Sequence, residues 1–326
     1  MHDAAMGGEF WPALRYEAWR DTCATLHRWA QIVGKVRLTH TPWEIHSWHA
    51  TLYVPARGLS TSVIAYDRRS FQIHFDFIDH RLLIEVDDGS RRDLPMHAQS
   101  VADFYAAFMR ALDGLDLATD IHPAPNEVPD PIPFEDDTVH AAYDPDAAHR
   151  FWRVLLQVDR VFKHFRTGFL GKASLVHFFW GSFDLAVTRF SGRRAPLHPG
   201  GIPNLPDRVT REAYSHEVSS AGFWPGGGPY DDAAFYSYAY PTPKEFSGQP
   251  VQPAAAFYSR DAGEFILPYE DIRTTRNPER TLLDFLQTTY AAAAECAGWD
   301  RKALECPLGI PGLPRLLDAK SDSKES

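Results

Sequence analysis

Two stretches of this chain follow one order, helix period, strand alternation, helix period, and a proline-dense run from Pro123 to Pro133 separates them. Trp19, Cys23, Leu26, Trp29 and Val33 recur three or four apart, which predicts a helix over 16–33 stopped by Gly34. Pro42 and Trp43 open extended structure, continued by predicted strands at 48–54, 61–66, 71–78 and 81–86. Ser100 then caps a helix with Asp103 in its first turn and Val101, Phe104, Tyr105, Phe108 and Leu112 on its apolar face. Beyond the prolines, Phe151, Leu155, Val158, Phe162, Phe165 and Phe169 mark a helix over 146–170, and strands follow through 175–190, 235–240, 254–258 and 264–267. Asn277 caps the last helix, with Pro278 at its first position. Strands grouped between helices, without β–α alternation, indicate the α+β class and disfavour a doubly wound parallel sheet.

The two stretches also share landmarks. Trp48 to Arg57 and Trp180 to Arg189 each span nine positions; Gly34-Lys35 and Gly171-Lys172 precede them, and Asp103-Phe104 and Asp284-Phe285 follow. Read as a duplication, they give a first α+β repeat over 10–122, a connector over 123–145 and a second repeat over 146–304. Residues 305–326 form a tail. The two halves are expected to pack about a pseudo-twofold. Arg57 to Asp103 is 46 residues and Arg189 to Asp284 is 95, so 49 residues of the second half are unmatched. That surplus, 191–234, is expected to lie over a cleft between the halves and to carry function, because long aromatic segments inside compact domains are binding loops or lids.

Composition narrows the function classes. With 326 residues, 44% of them hydrophobic, the chain can bury a substantial core. A net charge of −10, with only seven lysines, leaves no basic stripe for nucleic acid. No apolar run approaches the roughly eighteen residues of a membrane span, and residues 1–9 lack the pattern of a signal peptide. Cys23, Cys296 and Cys306 have no metal-finger spacing and fit a reduced, cytoplasmic protein, with Cys23 a buried hydrophobe. The polar end, 318–326, is expected to be disordered.

Candidate chemistry concentrates in and beside the surplus. His177, His198, His216 and Glu217 are the expected metal ligands, since imidazole plus carboxylate suits iron, zinc or manganese. His177, His216 and Glu217 are also the expected catalytic groups. Adjacent His216 and Glu217 point to opposite faces of a strand, however, and loop histidines often serve only to cap backbone carbonyls. Arg189, Arg193 and Arg194 are the expected clamps for a substrate carboxylate or phosphate, with Trp180 and Trp224 as apolar walls. The competing role for Arg189 is a salt bridge to Asp184, Asp207 or Glu217. If one strand alternates through this region, His177 and Arg189 share a face, unless a turn at Gly181-Ser182 breaks it. His46 and His49 form a second cluster that the halves could bring toward His177. The triple glycine 226–228 lacks the strand, helix and lysine of a phosphate loop.

The stretches His177-Phe-Phe-Trp-Gly-Ser-Phe-Asp184, Leu185 to Pro196, and Tyr214-Ser-His216-Glu217 through Trp224 to Gly228 resemble a bacterial family of unknown function. Trp19 to His27, Gln31 to Lys35 and Phe75 to His80 resemble its first half, so the likeness runs from about Phe10 to Leu304. It implies no activity, cofactor or catalytic residue. The expectation is therefore a cytoplasmic enzyme acting on a small anionic molecule in the inter-half cleft, with a divalent metal (Fe, Zn or Mn) activating water or oxygen. The alternatives are a non-catalytic small-molecule binding protein using the same pocket and an interaction protein docking through 191–234.

Overall fold

A computed structural model describes residues 10–228 and 230–315; the segments 1–9 and 318–326 lie outside the described residues. The first apolar stripe does form a helix, α1 (Tyr16–His40), but it passes straight through Gly34. A Cβ at Gly34 would sit 2.3 Å from the indole of Trp180. Gly34 therefore makes room for a ring from the other half and ends nothing. Further along, Trp29 stacks on Phe104 at 4.5 Å, which seats α2 (Val101–Asp113) against α1. The Ser100 hydroxyl accepts the Asp103 amide, as the capping pattern predicts.

Between these helices lies an antiparallel sheet of β1 (Gly58–Ser60), β2 (Ile64–Tyr66), β3 (Arg69–Asp76), β4 (Arg81–Val86) and β5 (Arg91–Pro95), in the order β1-β3-β4-β5 with β2 also on β3. After the connector, α3 (Pro145–Arg166) leads into a second antiparallel sheet. Its strands are β6 (His177–Phe179), β7 (Asp184–Arg194), β8 (His216–Trp224), β9 (Ala234–Tyr240), β10 (Phe257–Ser259) and β11 (Glu264–Pro268), ordered β10-β11-β9-β8-β7-β6. The short helix α4 (Asp207–Ala213) interrupts it before β8, and α5 (Tyr269–Arg273), α6 (Pro278–Cys296) and α7 (Arg301–Leu304) follow. The architecture is α+β with two antiparallel sheets.

Register separates the two faces of the second sheet. Leu185, Phe223, Phe235 and Leu267 line up across four strands, all buried. With Phe178, Val187 and Arg189 they belong to the side packed on α3 and α6. Ala186, Gly222, Tyr236 and Ile266 line up on the opposite side, as do Thr188, Ser220 and Tyr238. In strands the two sets must alternate, so the second face carries hydroxyls where the first carries hydrocarbon.

Several expectations need correction. Trp48 lies in a 3₁₀ segment, Ile45–Ala50, and not in a strand; His46 and Ser47 there take left-handed backbone, φ 65° and 59°. Tertiary bonds hold that conformation: the His46 amide donates to Glu212 Oε2 at 3.1 Å and its Nδ1 donates to the Ala213 carbonyl at 2.7 Å. Arg57 sits in a turn, paired with Asp76 and Asp79, whereas Arg189 is in mid-strand, so the equal Trp–Arg spacing does not mark equivalent places. The surplus is not one loop either. β7 extends to Arg194, and 216–224 is a central strand of the sheet. Only residues between these strands lie across the cleft.

Candidate functional site

The cleft is a cavity of about 800 Å³. Its floor is the hydroxyl-bearing face of the second sheet: Asp184, Thr188, Ser220, Tyr236, Tyr238 and Glu264. α1 contributes Lys35, the 3₁₀ segment His46 and Trp48, and the connector Asn126 and Glu127. Residues 202–214 supply Ile202, Leu205, Arg208 and Tyr214. The cavity thus draws on both halves, the connector and the surplus.

Backbone and amide bonds fix those parts to one another. Gln31, buried in α1, exchanges bonds with Asn126: its Oε1 accepts the Asn126 amide at 2.7 Å and its Nε2 donates to the Asn126 carbonyl at 2.8 Å. The Glu127 amide donates to the Pro203 carbonyl at 3.0 Å, and Asn204 Nδ2 donates to the Val128 carbonyl at 2.8 Å. The proline run therefore lies pinned between α1 and the surplus segment, where an unanchored spacer would cross solvent.

Three carboxyls meet this cavity. Asp184 is buried and accepts from the hydroxyls of Ser182 and Tyr236. Tyr236 reaches it because position 222 is glycine; a Cβ there would fall 2.2 Å from the phenol. Burial still outweighs these bonds and raises the Asp184 pKa. Glu127 lies over the turn after β6, where a Cβ on Gly181 would meet its Oε1 at 2.1 Å. Burial first, and the Asp184 charge second, push the Glu127 carboxyl up to about 7. The same two causes push Glu264 up to about 8. Its Oε2 is closed to solvent and meets no hydrogen-bond partner among the described residues. No ion pair joins Glu127, Asp184 or Glu264 to a basic side chain among the described residues.

Aromatic rings complete the walls. Trp224 lies on Tyr236 at 4.3 Å, Tyr236 stacks on Tyr238 at 6.0 Å, and the Tyr238 and Tyr214 hydroxyls meet at 2.8 Å. Desolvation pushes Tyr214 up to about 12, and Tyr236 and Tyr238 rise too, so all three remain neutral donors at physiological pH. The Trp180 indole donates to the Ala50 carbonyl, which locks that wall to the first half. Trp180 and Trp224 both line the cavity.

The other sequence candidates are placed elsewhere. Arg189 is on the helix-facing side, donating to the last-turn carbonyl of Phe165, with its guanidinium carbon 3.5 Å from the Phe165 ring centre and 4.4 Å from that of Tyr290. It has no carboxylate partner among the described residues; π faces and a helix C-terminus balance its charge. Arg193 pairs with Glu217 at 2.7 Å and donates to the Ala297 carbonyl at the end of α6. Arg194 is exposed at the end of β7. The turn at 180–183 reverses the alternation, so His177 lies opposite Ala186, on the face away from Arg189.

His177 is buried between Trp48 and Tyr53, and burial pushes it down to about 3. His198 stacks on Tyr214 at 4.7 Å, its Nδ1 accepting the Gly200 amide at 3.0 Å. His216 meets His46 edge-on at 5.9 Å. Glu217, on the other face of β8, accepts from Ser191 and Arg193. No hydrogen bond or ring contact joins any two of these four side chains, and no group of three or more His, Cys, Asp or Glu among the described residues is arranged to hold a metal. His46 of the first half does join the second. Its Nδ1–H is committed to Ala213, so Nε2 accepts from Lys172 at 2.7 Å, and Lys172 lies 5.1 Å from the Trp48 ring centre.

Residues 11–306 match the model of a family of unknown function, DUF5996. The chain belongs to that family. No functionally curated protein and no solved structure matches it. Glu127, Glu264 and Asp184 are the groups sequence reasoning missed as a set. Their signal was faint: an acid inside a proline connector, one at a strand start two residues before Ile266, and one at a hairpin.

Proposed function

We propose that the cleft is the working site of an enzyme acting on a small molecule, with Glu127 and Glu264 moving protons on a ligand gripped between aromatic walls. The observation that carries this reading is the convergence of three carboxyls, none paired with a cation among the described residues, on one aromatic-walled cavity of about 800 Å³. Carboxyls poised at about 7 and about 8 are partly protonated near neutral pH, the condition for general acid and base work. Asp184, fastened by two hydroxyls, sets the charge that both feel. An acid-lined floor favours a neutral or hydrogen-bond-donating ligand over the anion expected from Arg189, Arg193 and Arg194; Arg189 and Arg193 serve other contacts, and Arg194 is exposed at the end of β7. The expected divalent metal is given no step, because His177, His198, His216 and Glu217 offer no common ligand set. We place the protein in the cytoplasm, in keeping with three unpaired thiols, Cys23, Cys296 and Cys306. Residues 10–122 and 146–304 are read as related halves on their shared helix–sheet–helix order, and superposing the two sheets checks it.

A thermal-shift screen of small metabolites, followed by mass analysis of each stabilising compound, tests the enzyme reading. The expected result is a ligand that the native protein converts and that Glu127→Gln and Glu264→Gln bind without converting. A ligand that binds all three proteins and is never converted makes this a binding protein.

A further inference from the structure

Lys35 is a buried basic side chain of the cleft whose chemistry the carboxyls do not explain. It projects from the C-terminal third of α1, is 4% exposed, and lines the cavity. An ammonium has three donors, and Lys35 satisfies one of them, on Asn126 Oδ1. Its Nζ lies 5.7 Å from the centre of the Trp180 ring and has no carboxylate partner among the described residues. A purely structural tie would explain Asn126, but Gln31 already holds the Asn126 backbone amide and carbonyl through both ends of its carboxamide. The lysine adds a buried charge, at a desolvation cost, to a connector that is fastened without it.

We propose that Lys35 is a nucleophile that forms an imine with an aldehyde or ketone bound in the cleft. This rests on the cleft being a small-molecule site. The Nζ lone pair forms a C–N bond to the carbonyl carbon as the C=O π pair moves to oxygen. The two N–H protons of the neutral amine then depart with that oxygen as water, leaving C=N. Amine plus carbonyl gives imine plus water, with no change of oxidation state and no further reactant. The Trp180 face, within cation–π range, suits the protonated imine. Desolvation alone pushes Lys35 down to about 8, so a sizeable fraction of the amine is neutral near physiological pH, as imine chemistry requires.

Benzaldehyde with sodium cyanoborohydride, applied to the native full chain, provides the test, with peptide mapping to find the reduced adduct. The expected result is one benzyl group per chain on Lys35, acquired roughly ten-fold faster than on exposed lysines such as Lys244. Labelling should rise between pH 7 and 9 and vanish in Lys35→Arg. In parallel, benzyl alcohol is titrated against tryptophan fluorescence as a non-reactive occupant. Binding of benzyl alcohol together with label spread over exposed lysines and absent from Lys35 overturns the imine inference and leaves the cleft reading standing. Absence of both binding and Lys35 labelling overturns the cleft reading, and the inference with it.

Discussion

The two faces of the second sheet are both buried, yet they solve burial in opposite ways. The helix-facing side encloses a full positive charge, Arg189, and surrounds it with Phe165, Phe169, Tyr290 and a helix-end carbonyl. The cleft-facing side encloses carboxyls and leaves them facing a cavity. An arginine packed among aromatic faces and bonded to a helix end is architecture. Acids held above their ordinary pKa in a space large enough for a metabolite are chemistry. Burial alone did not distinguish the two faces; what each charge faces did.

The largest effect should come from the architectural side. Arg189→Ala removes a fully packed side chain and is expected to cost about 3–5 kcal/mol in urea unfolding, while Arg189→Met, similar in volume, recovers most of it. If both variants lose equally, the charge itself is needed and the contrast between the faces weakens. Next, Gly222→Ala drives a methyl into the Tyr236 ring and should cost about 1–3 kcal/mol as overpacking. It should also release the Tyr236–Asp184 bond, visible as a changed tyrosine absorption.

A smaller, pH-dependent effect belongs to Glu264. Its folded pKa is raised, so from about pH 4.5 to about 8 the native state holds a proton that the unfolded state has lost, and stability falls as pH rises through that window. Glu264→Gln cannot ionise and should therefore gain on the order of 1–2 kcal/mol over the native protein above pH 8, with little difference at pH 4.5. Melting temperature against pH reads this directly, and a constant offset would show that Glu264 is not held protonated. Buried His46 and His177, depressed to about 4 and about 3, act in the opposite sense below pH 6.5 and should be unchanged by that variant. The smallest effect is expected at Glu217→Gln, which loosens a partly exposed pair with Arg193 and should cost at most about 1 kcal/mol.

Much of the scaffold was legible because it follows local rules. The caps at Ser100 and Asn277, the stripes of α1 and α2, and the β3–β4 turn all come from spacing and side-chain chemistry within a few residues. The site was less so. Gly34 reads as a helix stop until Trp180, 146 positions away in the chain, is placed on it. Histidines stood out by their chemistry, yet tertiary contacts spend them on stacking and backbone bonds. Glu127, Asp184 and Glu264 fit no spacing pattern because the connector, a hairpin and the last strand deliver them separately.

The amide and carbonyl of Leu52 pair with Phe178 at 2.8 and 2.9 Å, a single rung laid by the first half along the outer side of β6. An uncovered strand edge is a template on which other chains assemble, and natural proteins guard against it. Synthesis runs from the N-terminus, so residue 52 leaves the ribosome well before residue 178. The guard for that border of the sheet is made before the border exists. A chain starting at the connector would present β6 unguarded, and its failing should be self-association before it is loss of the cleft.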